Sequence, residues 1–407
     1  MRDPYRLGAR DAARLIERGE LKAEFLLQSC LERIAARDGE VRAWAFVNRD
    51  AAPPRGGPLF GVPVGVKDVL DTFDMPTEYG SPIYGGHRPR ADAAVVALTR
   101  RAGATILGKT HTCAFATMVP APTRNPHDLS RTPGGSSSGS AAAVSDFMVP
   151  LAFGTQTAGS VLRPASYCGV VGYKPTYDLL PRAGVKPNAD SLDTVGWFAR
   201  SVDDAAFFLH ALTGLPPAAM DRPRVGVAQF FHWDRVRADM AEVVERAART
   251  LEARPVRFPA GFGDLPSTNR TIHWYENARS LADEYARHRD RLAPQLIQRC
   301  KDGMAIEPRD YLHALQRAAA FRQSMLEVFG DHDVLITAAA TGEAPAGLES
   351  TGDTSMNSVW TQLHLPCISI PAGKGRHGLP LGLQVIGRMG DDARLLACAS
   401  YIEKCLN

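Results

Sequence analysis

Two turns rich in serine and glycine lie close together within residues 132–164. In the first turn, Gly134 and Gly135 precede three serines, and the second turn reads TQTAGS and ends at Ser160. Glycine-rich turns let several backbone N–H groups converge on one oxygen atom, and an activated serine can attack a carbonyl carbon. The apolar runs AAAV and FMVPLAF between the turns argue against a flexible linker. The two turns therefore predict the catalytic centre of a hydrolase.

A serine nucleophile needs a base, and the sequence offers a lysine. None of the eleven histidines lies in a glycine-rich or strand-end context beside these serines. Lysine can replace histidine when burial keeps its amine neutral. Lys67 follows a mostly apolar run at the end of a predicted strand, where burial is expected. Lys67 is therefore the candidate base, and an ion pair with Asp68 or Asp71 is the structural alternative.

Residues 103–110 read GATILGKT and match the phosphate-binding pattern G-x-x-x-x-G-K-[ST]. That pattern works as a flexible loop whose backbone N–H groups surround a phosphate before a helix begins. Here the intervening Ala, Thr, Ile and Leu resemble a strand, and the following residues do not start a helix. We therefore predict no nucleotide site and a structural role for Lys109.

The elements that would position these residues alternate between strands and helices. Strands are predicted at residues 59–66, 104–107, 149–153, 224–229, 334–337, 367–371 and 381–386. Helices are predicted at residues 11–18, 21–37, 92–101, 138–145, 201–212, 239–253, 271–291 and 308–329, and from residue 391. This order predicts an α/β layered fold. Without an internal repeat or a clean linker, we expect one domain with a helical insertion at residues 230–330.

The composition limits the class of protein. Hydrophobic residues make up 45% of the 407 residues and charged residues 22%, as in a globular protein. The net charge of +3 is too small to indicate nucleic-acid binding. The seven cysteines form no C-x-x-C pair, so neither a metal site nor a disulfide framework is predicted. We expect no cofactor, no membrane span and a cytoplasmic protein, and the amphipathic N-terminal helices could pair in a homodimer.

The motifs resemble those of the amidase signature hydrolases. They are GVKD at residues 65–68, TPGGSSSGSAAA at 132–143, GTQTAGS at 154–160, PASYCGVVGYKP at 164–175 and SLDTVG at 191–196. The dense likeness covers residues 55–210, and a weaker likeness continues through LGLQVIG at 381–387. The resemblance implies a single domain over residues 1–407 with a large mixed β-sheet covered by helices on both faces. It also implies hydrolysis of an amide C–N bond.

The resemblance implies a Ser-Ser-Lys triad. Ser160 would be the nucleophile and would form an acyl-enzyme. Ser136, typically held by a cis peptide bond in this family, would relay the proton, and Lys67 would be the final base. These three assignments agree with the chemistry inferred above from the serine turns and the buried lysine.

The resemblance also implies the groups that support the triad. The backbone N–H groups of Thr157, Ala158 and Gly159 would form the oxyanion hole. The hydroxyls of Ser137 and Thr155 would hold the catalytic groups by hydrogen bonds, and ordinary turn hydroxyls are the alternative for both.

Arg163 is the candidate residue for binding the substrate. Many family members have Asp and Gly where this chain has Gln156 and Ala158, and many carry Arg two residues after the nucleophile, where this chain has Leu162. In these features the chain is most similar to malonamidase-type members. A guanidinium can bind a carboxylate through two parallel hydrogen bonds. We therefore expect a small, malonamate-like amide, with pairing of Arg163 to an acidic neighbour as the structural alternative.

Two other functions stay open at this point. A ureido or carbamate hydrolase of the same family would use the same chemistry on a different leaving group. An amidotransferase-type subunit would deliver ammonia to a partner protein. All three catalytic positions are filled, which argues against a protein without catalytic activity.

Overall fold

The structure, a computed structural model, describes residues 3–54 and 56–406. Its strands are β1 (Trp44–Val47), β2 (Pro63–Lys67), β3 (Thr105–Thr110), β4 (Leu151–Gln156), β5 (Val171–Lys174), β6 (Thr194–Ala199), β7 (Val225–Val227), β8 (Arg254–Pro255), β9 (Val334–Ala338), β10 (Cys367–Lys374) and β11 (Pro380–Ile386). Its α-helices are α1 (Ala9–Glu17), α2 (Ala23–Val41), α3 (Ala94–Arg101), α4 (Ser138–Ser145), α5 (Leu162–Cys168), α6 (Val202–Thr213), α7 (Ala238–Thr250), α8 (Leu265–Ser280), α9 (Ala282–Arg287), α10 (Pro294–Met304), α11 (Pro308–Phe329), α12 (Ser355–Gln362) and α13 (Asp392–Leu406).

The strands form one mixed sheet in the order β1-β3-β2-β4-β6-β5-β10-β11-β9-β7-β8. On one side β2 pairs in parallel with both β3 and β4, and on the other β7 pairs in parallel with both β8 and β9. The central strands pair antiparallel from β4 through β6, β5, β10 and β11 to β9. The centre of the sheet therefore joins strands from the middle and the end of the sequence.

Helices cover both faces of this sheet. Side chains alternate between the two faces of a strand, so neighbouring residues of β6 enter different cores. Trp197 packs in a core shared with α3, α6, α7 and α13, whereas Phe198 packs in a core shared with α2, α4 and α5. Both side chains are fully buried. The predicted α/β fold, a large mixed sheet between two layers of helices, is confirmed.

Several elements differ from the sequence prediction. The strand predicted at residues 59–66 begins only at Pro63, because Gly61 lies in a turn with φ of 75°. The helix predicted over residues 271–291 is interrupted at Leu281, which separates α8 from α9. The prediction missed β1, β5, β6, β8, α5, α10 and α12. All of these except α10 have eight residues or fewer, and short elements give weaker periodic patterns than long ones.

The match to a phosphate-binding loop is a strand. Residues 105–110 form β3, and Lys109 is fully buried in it. Its Nζ lies 3.1 Å from Asp68 Oδ1 and donates to the carbonyl of Leu70 at 2.9 Å. The predicted structural role of Lys109 is confirmed: it pairs with the carboxylate that follows β2.

Two parallel strands bring the two serine turns and Lys67 together at the carboxyl ends of the strands. Strands β2 and β4 are neighbours, with Val64 opposite Leu151, so their carboxyl ends point the same way. Lys67 is the last residue of β2, and the turn containing Ser160 follows β4 directly. Helix α4 begins at Ser138, immediately after the first serine turn, and packs on the same strands. The parallel pairing explains why residues far apart in sequence meet.

Four helices, α8 to α11, lie between β8 and β9 in the chain and add no strand to the described sheet. The single domain with a helical insertion at residues 230–330 stays a prediction. Within residues 3–54 and 56–406, no helix combines the length and the apolar character needed to cross a membrane.

Candidate active site

Lys67 is fully buried at the end of β2. Its Nζ donates to Ser136 Oγ and to Thr155 Oγ1, both at 2.8 Å. Neither Asp68 nor Asp71 lies within ion-pair distance of Lys67. The structural alternative considered from the sequence, an ion pair with one of these carboxylates, is therefore wrong. The amine contacts hydroxyl groups instead.

The surroundings of Lys67 favour its neutral form. Burial lowers the pKa of Lys67 from 10.5 to about 7, while the charges of Cys113 and Asp193 act in the opposite direction. Removing an amine from water destabilises its charged form because the interior solvates the charge poorly. A substantial fraction of Lys67 is therefore neutral near pH 7 and able to accept a proton.

The first serine turn is joined to the end of β4. The peptide bond between Gly135 and Ser136 is cis, as the resemblance implied. Ser137 Oγ donates to the carbonyl of Thr155 and accepts from the N–H of Thr155, both at 3.3 Å. Ser137 and Thr155 therefore hold Ser136 beside the Lys67 amine.

The second serine turn presents N–H groups that the protein itself does not use. In the described chain, the backbone N–H groups of Thr157, Ala158 and Gly159 donate to no other backbone or side-chain atom. Thr157, Ala158 and Ser160 line a cavity, and Ser160 is 7% exposed. N–H groups that lack an acceptor at a cavity wall are suited to bind a negatively charged oxygen. The turn can therefore serve as an oxyanion hole beside a serine hydroxyl.

Gln156 stabilises this turn from behind. Its Oε1 accepts from the N–H groups of Val161 and Leu162 at 2.8 and 3.0 Å, where α5 begins. Its Nε2 donates to Thr361 Oγ1 at 3.0 Å, and that hydroxyl lies 2.8 Å from the carbonyl of Ala158. The amide of Gln156 thus provides an acceptor for the N–H groups at the start of α5. It also links the oxyanion turn to α12. This position, a departure from many family members, has a defined structural role here.

Asp193 is a site residue for which the sequence analysis gave no role. One carboxylate oxygen accepts from Thr157 Oγ1, and the other accepts from the N–H groups of Asn188 and Ala189 at 2.7 and 3.0 Å. Burial raises the pKa of Asp193 to about 6, and the Thr157 hydrogen bond opposes that shift. Asp193 therefore anchors the oxyanion turn. Its place in the SLDTVG segment was the only sequence signal for it.

The cavity next to Ser160 has a volume of about 330 Å³ and carries positive charge. Its cationic side chains are Arg163, Arg270 and Arg299, and its lining contains no aspartate or glutamate among the residues described. Within the same part of the chain, no carboxylate lies within 4.0 Å of these three guanidinium groups. The cavity is therefore suited to an anion.

Arg163 is 2% exposed and is held by neutral groups. Its Nη2 donates to the carbonyl of Gly135 at 2.6 Å and to Thr351 Oγ1 at 3.2 Å, and its Nη1 donates to the carbonyl of Gly352 at 2.9 Å. The Nε–H has no acceptor in the described structure. The pairing with an acidic neighbour that the sequence left open is not formed. Arg163 instead supports the cis peptide beside Ser136 and keeps its charge at the cavity wall.

Helices α8 and α10 supply the outer part of the cavity. The ring of Trp274 of α8 lies close to two guanidinium groups, with Arg299 at 5.2 Å and Arg270 at 5.8 Å from its ring centre. The ring of His273 lies close by, and its Nε2 is 3.2 Å from Asn188 Oδ1. Burial, assisted by the charge of Arg299, lowers the pKa of His273 to about 3, so it is neutral. His273 contacts neither candidate serine through a hydrogen bond, and the sequence pattern contained no signal for it.

The predicted site residues lie in one region, but one hydrogen bond between the predicted catalytic residues is not formed. Lys67, Ser136, Ser137 and Thr155 form a continuous hydrogen-bonded group. No hydrogen bond joins Ser160 to Ser136 in the described chain. Catalytic hydrogen bonds are often long before substrate binds. Among the described residues no cluster of three or more His, Cys, Asp or Glu side chains could hold a metal ion.

Comparison with known proteins places this geometry in a family. A family model described as Amidase matches residues 27–396. A glutamyl-tRNA(Gln) amidotransferase subunit of Acidobacterium capsulatum is 32% identical over 464 residues, covering 96% of this chain and 97% of the relative. A crystal structure of an amidase is 28% identical and superimposes with a TM-score of 0.90, covering 98% and 100% of the two chains. The corresponding amidotransferase subunit of Thermotoga maritima is 29% identical with a TM-score of 0.86, covering 99% and 96%.

These similarities extend over almost the whole chain and include the strands and turns that carry the site. The alignment with the Acidobacterium relative spans 464 residues although this chain has 407, so that relative has insertions that this chain lacks. Hydrolysis of a C–N bond needs a base, a nucleophile and an oxyanion hole. The buried lysine, the serine turns and the N–H groups at the cavity wall can supply these. The chain belongs to the amidase signature family of amide hydrolases.

Proposed function

We propose that this protein is an amidase for a small amide that bears a carboxylate close to the scissile bond, such as malonamate. The observation that carries the proposal is the charge of the cavity beside Ser160. Arg163, Arg270 and Arg299 line it, and none of its described lining residues is acidic. A cavity with this charge concentrates anions and disfavours cationic ligands. Its volume of about 330 Å³ suits a small molecule.

The proposed mechanism uses the Ser-Ser-Lys arrangement. Neutral Lys67 accepts the proton of Ser136, Ser136 accepts the proton of Ser160, and Ser160 Oγ bonds to the amide carbonyl carbon. The N–H groups of residues 157–159 stabilise the negative oxygen of the tetrahedral intermediate. The C–N bond then breaks, and the nitrogen leaves as ammonia with a proton returned along the relay. Water adds to the acyl-enzyme, Ser160 regains its proton and the carboxylic acid is released.

The proposed role of Arg163 is to attract the substrate carboxylate. Three of its five N–H groups already donate to Gly135, Thr351 and Gly352, and both Nη atoms are engaged. A free pair of parallel N–H groups does not remain, so we propose a charge contact with a single hydrogen bond rather than the bidentate contact expected from the sequence. A buried guanidinium without a carboxylate partner gains from an anionic ligand, because the ligand offsets its lost hydration.

The test compares malonamate with malonamide, which differ by one carboxylate. Arg163→Gln is expected to raise KM for malonamate by about ten-fold or more, since a hydrogen bond to a charged group contributes about 1.5–3 kcal/mol. Because Arg163 also donates to Gly135 beside Ser136, kcat should fall for both substrates, whereas KM for malonamide should stay within about two-fold because malonamide lacks that carboxylate. Arg163→Lys retains the positive charge and should recover part of the malonamate effect. Equal changes of KM for both substrates in Arg163→Gln would exclude the carboxylate role.

A second candidate is the amidotransferase-type subunit, favoured by the names of the relatives that align along the chain. In that case hydrolysis would depend on a partner protein that receives the ammonia. Ammonia release by the purified chain from malonamate, without partner or ATP, supports the amidase proposal. Release only after a partner is added supports the second candidate. Faster turnover of carboxylated ureas than of malonamate would instead indicate a ureido hydrolase.

A further inference from the structure

The outer part of the cavity holds two arginines without acidic partners. Arg270 and Trp274 are four residues apart on α8 and therefore share one face of that helix. Arg299 approaches the same indole ring from α10. Arg270 is exposed and Arg299 is half-buried, whereas Arg163 is 2% exposed. The pair of arginines therefore lies on the solvent side of the cavity, apart from Arg163.

Close helix packing fixes Arg299 in this position. A side chain at Gly303 would bring its Cβ to 2.1 Å from the carbonyl of Trp274, so only glycine lets α10 lie this close to α8. Arg299 is four residues before Gly303 and projects from the same side of α10. The contact of the two helices, rather than a flexible surface side chain, sets the distance between Arg299 and Trp274.

Neither arginine of this pair forms an ion pair within the described chain. The carboxylate closest in sequence to Arg299 is Asp302, which accepts from Gln298 Nε2 at 2.8 Å and forms no ion pair with Arg299. His273, the other titratable group at this end of the cavity, is neutral. Burial lowers the pKa of Arg299 only to about 10, so it stays charged at neutral pH. Two positive charges therefore face the cavity together.

We propose that Arg270, Trp274 and Arg299 form a second anion subsite that receives a second carboxylate of the substrate. The inference rests on the proposed function, in which Arg163 receives the carboxylate next to the scissile amide. It narrows the substrate class to an amide that carries two carboxylates, one near the reacting carbonyl and one toward the cavity entrance. Trp274 lies close to both guanidinium groups and helps to place them at this end of the cavity.

Calorimetric titration tests the subsite without requiring turnover. The probes are the dicarboxylates glutarate and adipate, each compared with the monocarboxylate of equal chain length, pentanoate and hexanoate. The wild type is expected to bind at least one dicarboxylate about ten-fold more tightly than its matched monocarboxylate. One added hydrogen bond to a charged group increases affinity by about this factor. The double variant Arg270→Gln/Arg299→Gln should reduce that preference to about two-fold or less, with unchanged affinity for the monocarboxylate.

Arg279→Gln is the matched control, because Arg279 is an exposed arginine on the same helix that stacks on Tyr275 and lies outside this cavity. It should keep the full preference. The inference is overturned if the wild type shows no preference, if the double variant keeps it, or if the double variant weakens both probe types equally. Failure of the proposed function is read separately, from ammonia release. A protein that binds dicarboxylates selectively but hydrolyses no amide would retain the subsite and refute the amidase proposal.

Discussion

The pH dependence of turnover follows from the burial of Lys67. The pKa of this amine is lowered from 10.5 to about 7, and the neutral amine is the form that accepts the proton. The neutral fraction is then about one tenth at pH 6, half at pH 7 and nine tenths at pH 8. With the ordinary pKa of 10.5, only about one lysine in 3,000 would be neutral at pH 7. Burial therefore increases the amount of active base at pH 7 by roughly 1,500-fold.

We expect kcat/KM to rise about ten-fold between pH 6 and pH 8 and then to level off. The assay is ammonia release from malonamide between about pH 5.5 and about pH 9, since this neutral substrate does not itself titrate there. Asp193→Asn provides a perturbation of known sign. The Asp193 charge raises the pKa of Lys67, so its removal should move the rise to lower pH while the weakened oxyanion turn lowers the plateau.

Thr157→Val changes the two effects in a different proportion. It removes the hydroxyl that Asp193 accepts from, so the pKa of Asp193 rises but the carboxyl group remains. The plateau should therefore fall, and the midpoint of the pH profile should move to lower pH by less than in Asp193→Asn. A rate independent of pH between about 6 and 8, a midpoint near 10, or a shift to higher pH in Asp193→Asn would refute Lys67 as the base.

Two further predictions concern the nucleophile and the scaffold. Ser160→Ala should reduce kcat by about 10³-fold or more while retaining dicarboxylate binding, measured by ammonia release and calorimetry, and near-normal turnover would contradict the assignment. Lys109→Met should lower the free energy of unfolding by about 3–5 kcal/mol in urea titrations, because it leaves Asp68 buried without its partner. Lys109→Met/Asp68→Asn should recover part of that loss, and a single variant as stable as the wild type would exclude the ion pair as a stabilising contact.

The sequence predicted the parts of the site that depend on local pattern. Composition identified the two serine turns and the strand end at Lys67, and the family resemblance selected Ser136 and Ser160 within those turns. The mixed sheet between helices followed from the alternation of predicted elements and from the family resemblance. The strand end and the turns could be predicted because the information for each lies within about ten neighbouring residues.

The remaining site residues depend on contacts between distant segments. The hydrogen bond from Thr157 to Asp193 spans 36 residues, and that from Gln156 to Thr361 spans 205. No periodic pattern encodes such a pairing, because it arises only when the sheet order brings the segments together. The same holds for Arg270, which lines the same cavity as Thr157 and Ala158 of the oxyanion turn. The sequence predicted helices at residues 271–291 and 308–329, but it gave no means of choosing the side chains that line the cavity.

Different parts of helix α8 line the cavity and support the loop that contains Asp193. Its cavity-facing residues Arg270 and Trp274 meet the ligand space. Further along the helix, Glu276 accepts from the N–H of Ser191 at 2.9 Å and Asn277 donates to Asn188 Oδ1 at 2.9 Å. These two contacts hold the loop that contains Asp193, and Asp193 in turn anchors the oxyanion turn.

This division determines which changes can alter specificity without loss of catalysis. A substitution at Arg270 removes a charge from the cavity entrance and leaves the loop of residues 188–193 supported. A substitution at Asn277 removes a buried amide that donates to Asn188, and Asn188 also holds the carbonyl of Ala116 at the cavity wall. Loss of that support loosens the groups around the oxyanion turn for every substrate, whatever its charge. Substitutions of the α8 residues at the cavity entrance can therefore change the selectivity among anionic amides. Substitutions of the buried α8 residues instead lower the rate of the acylation step that all substrates share.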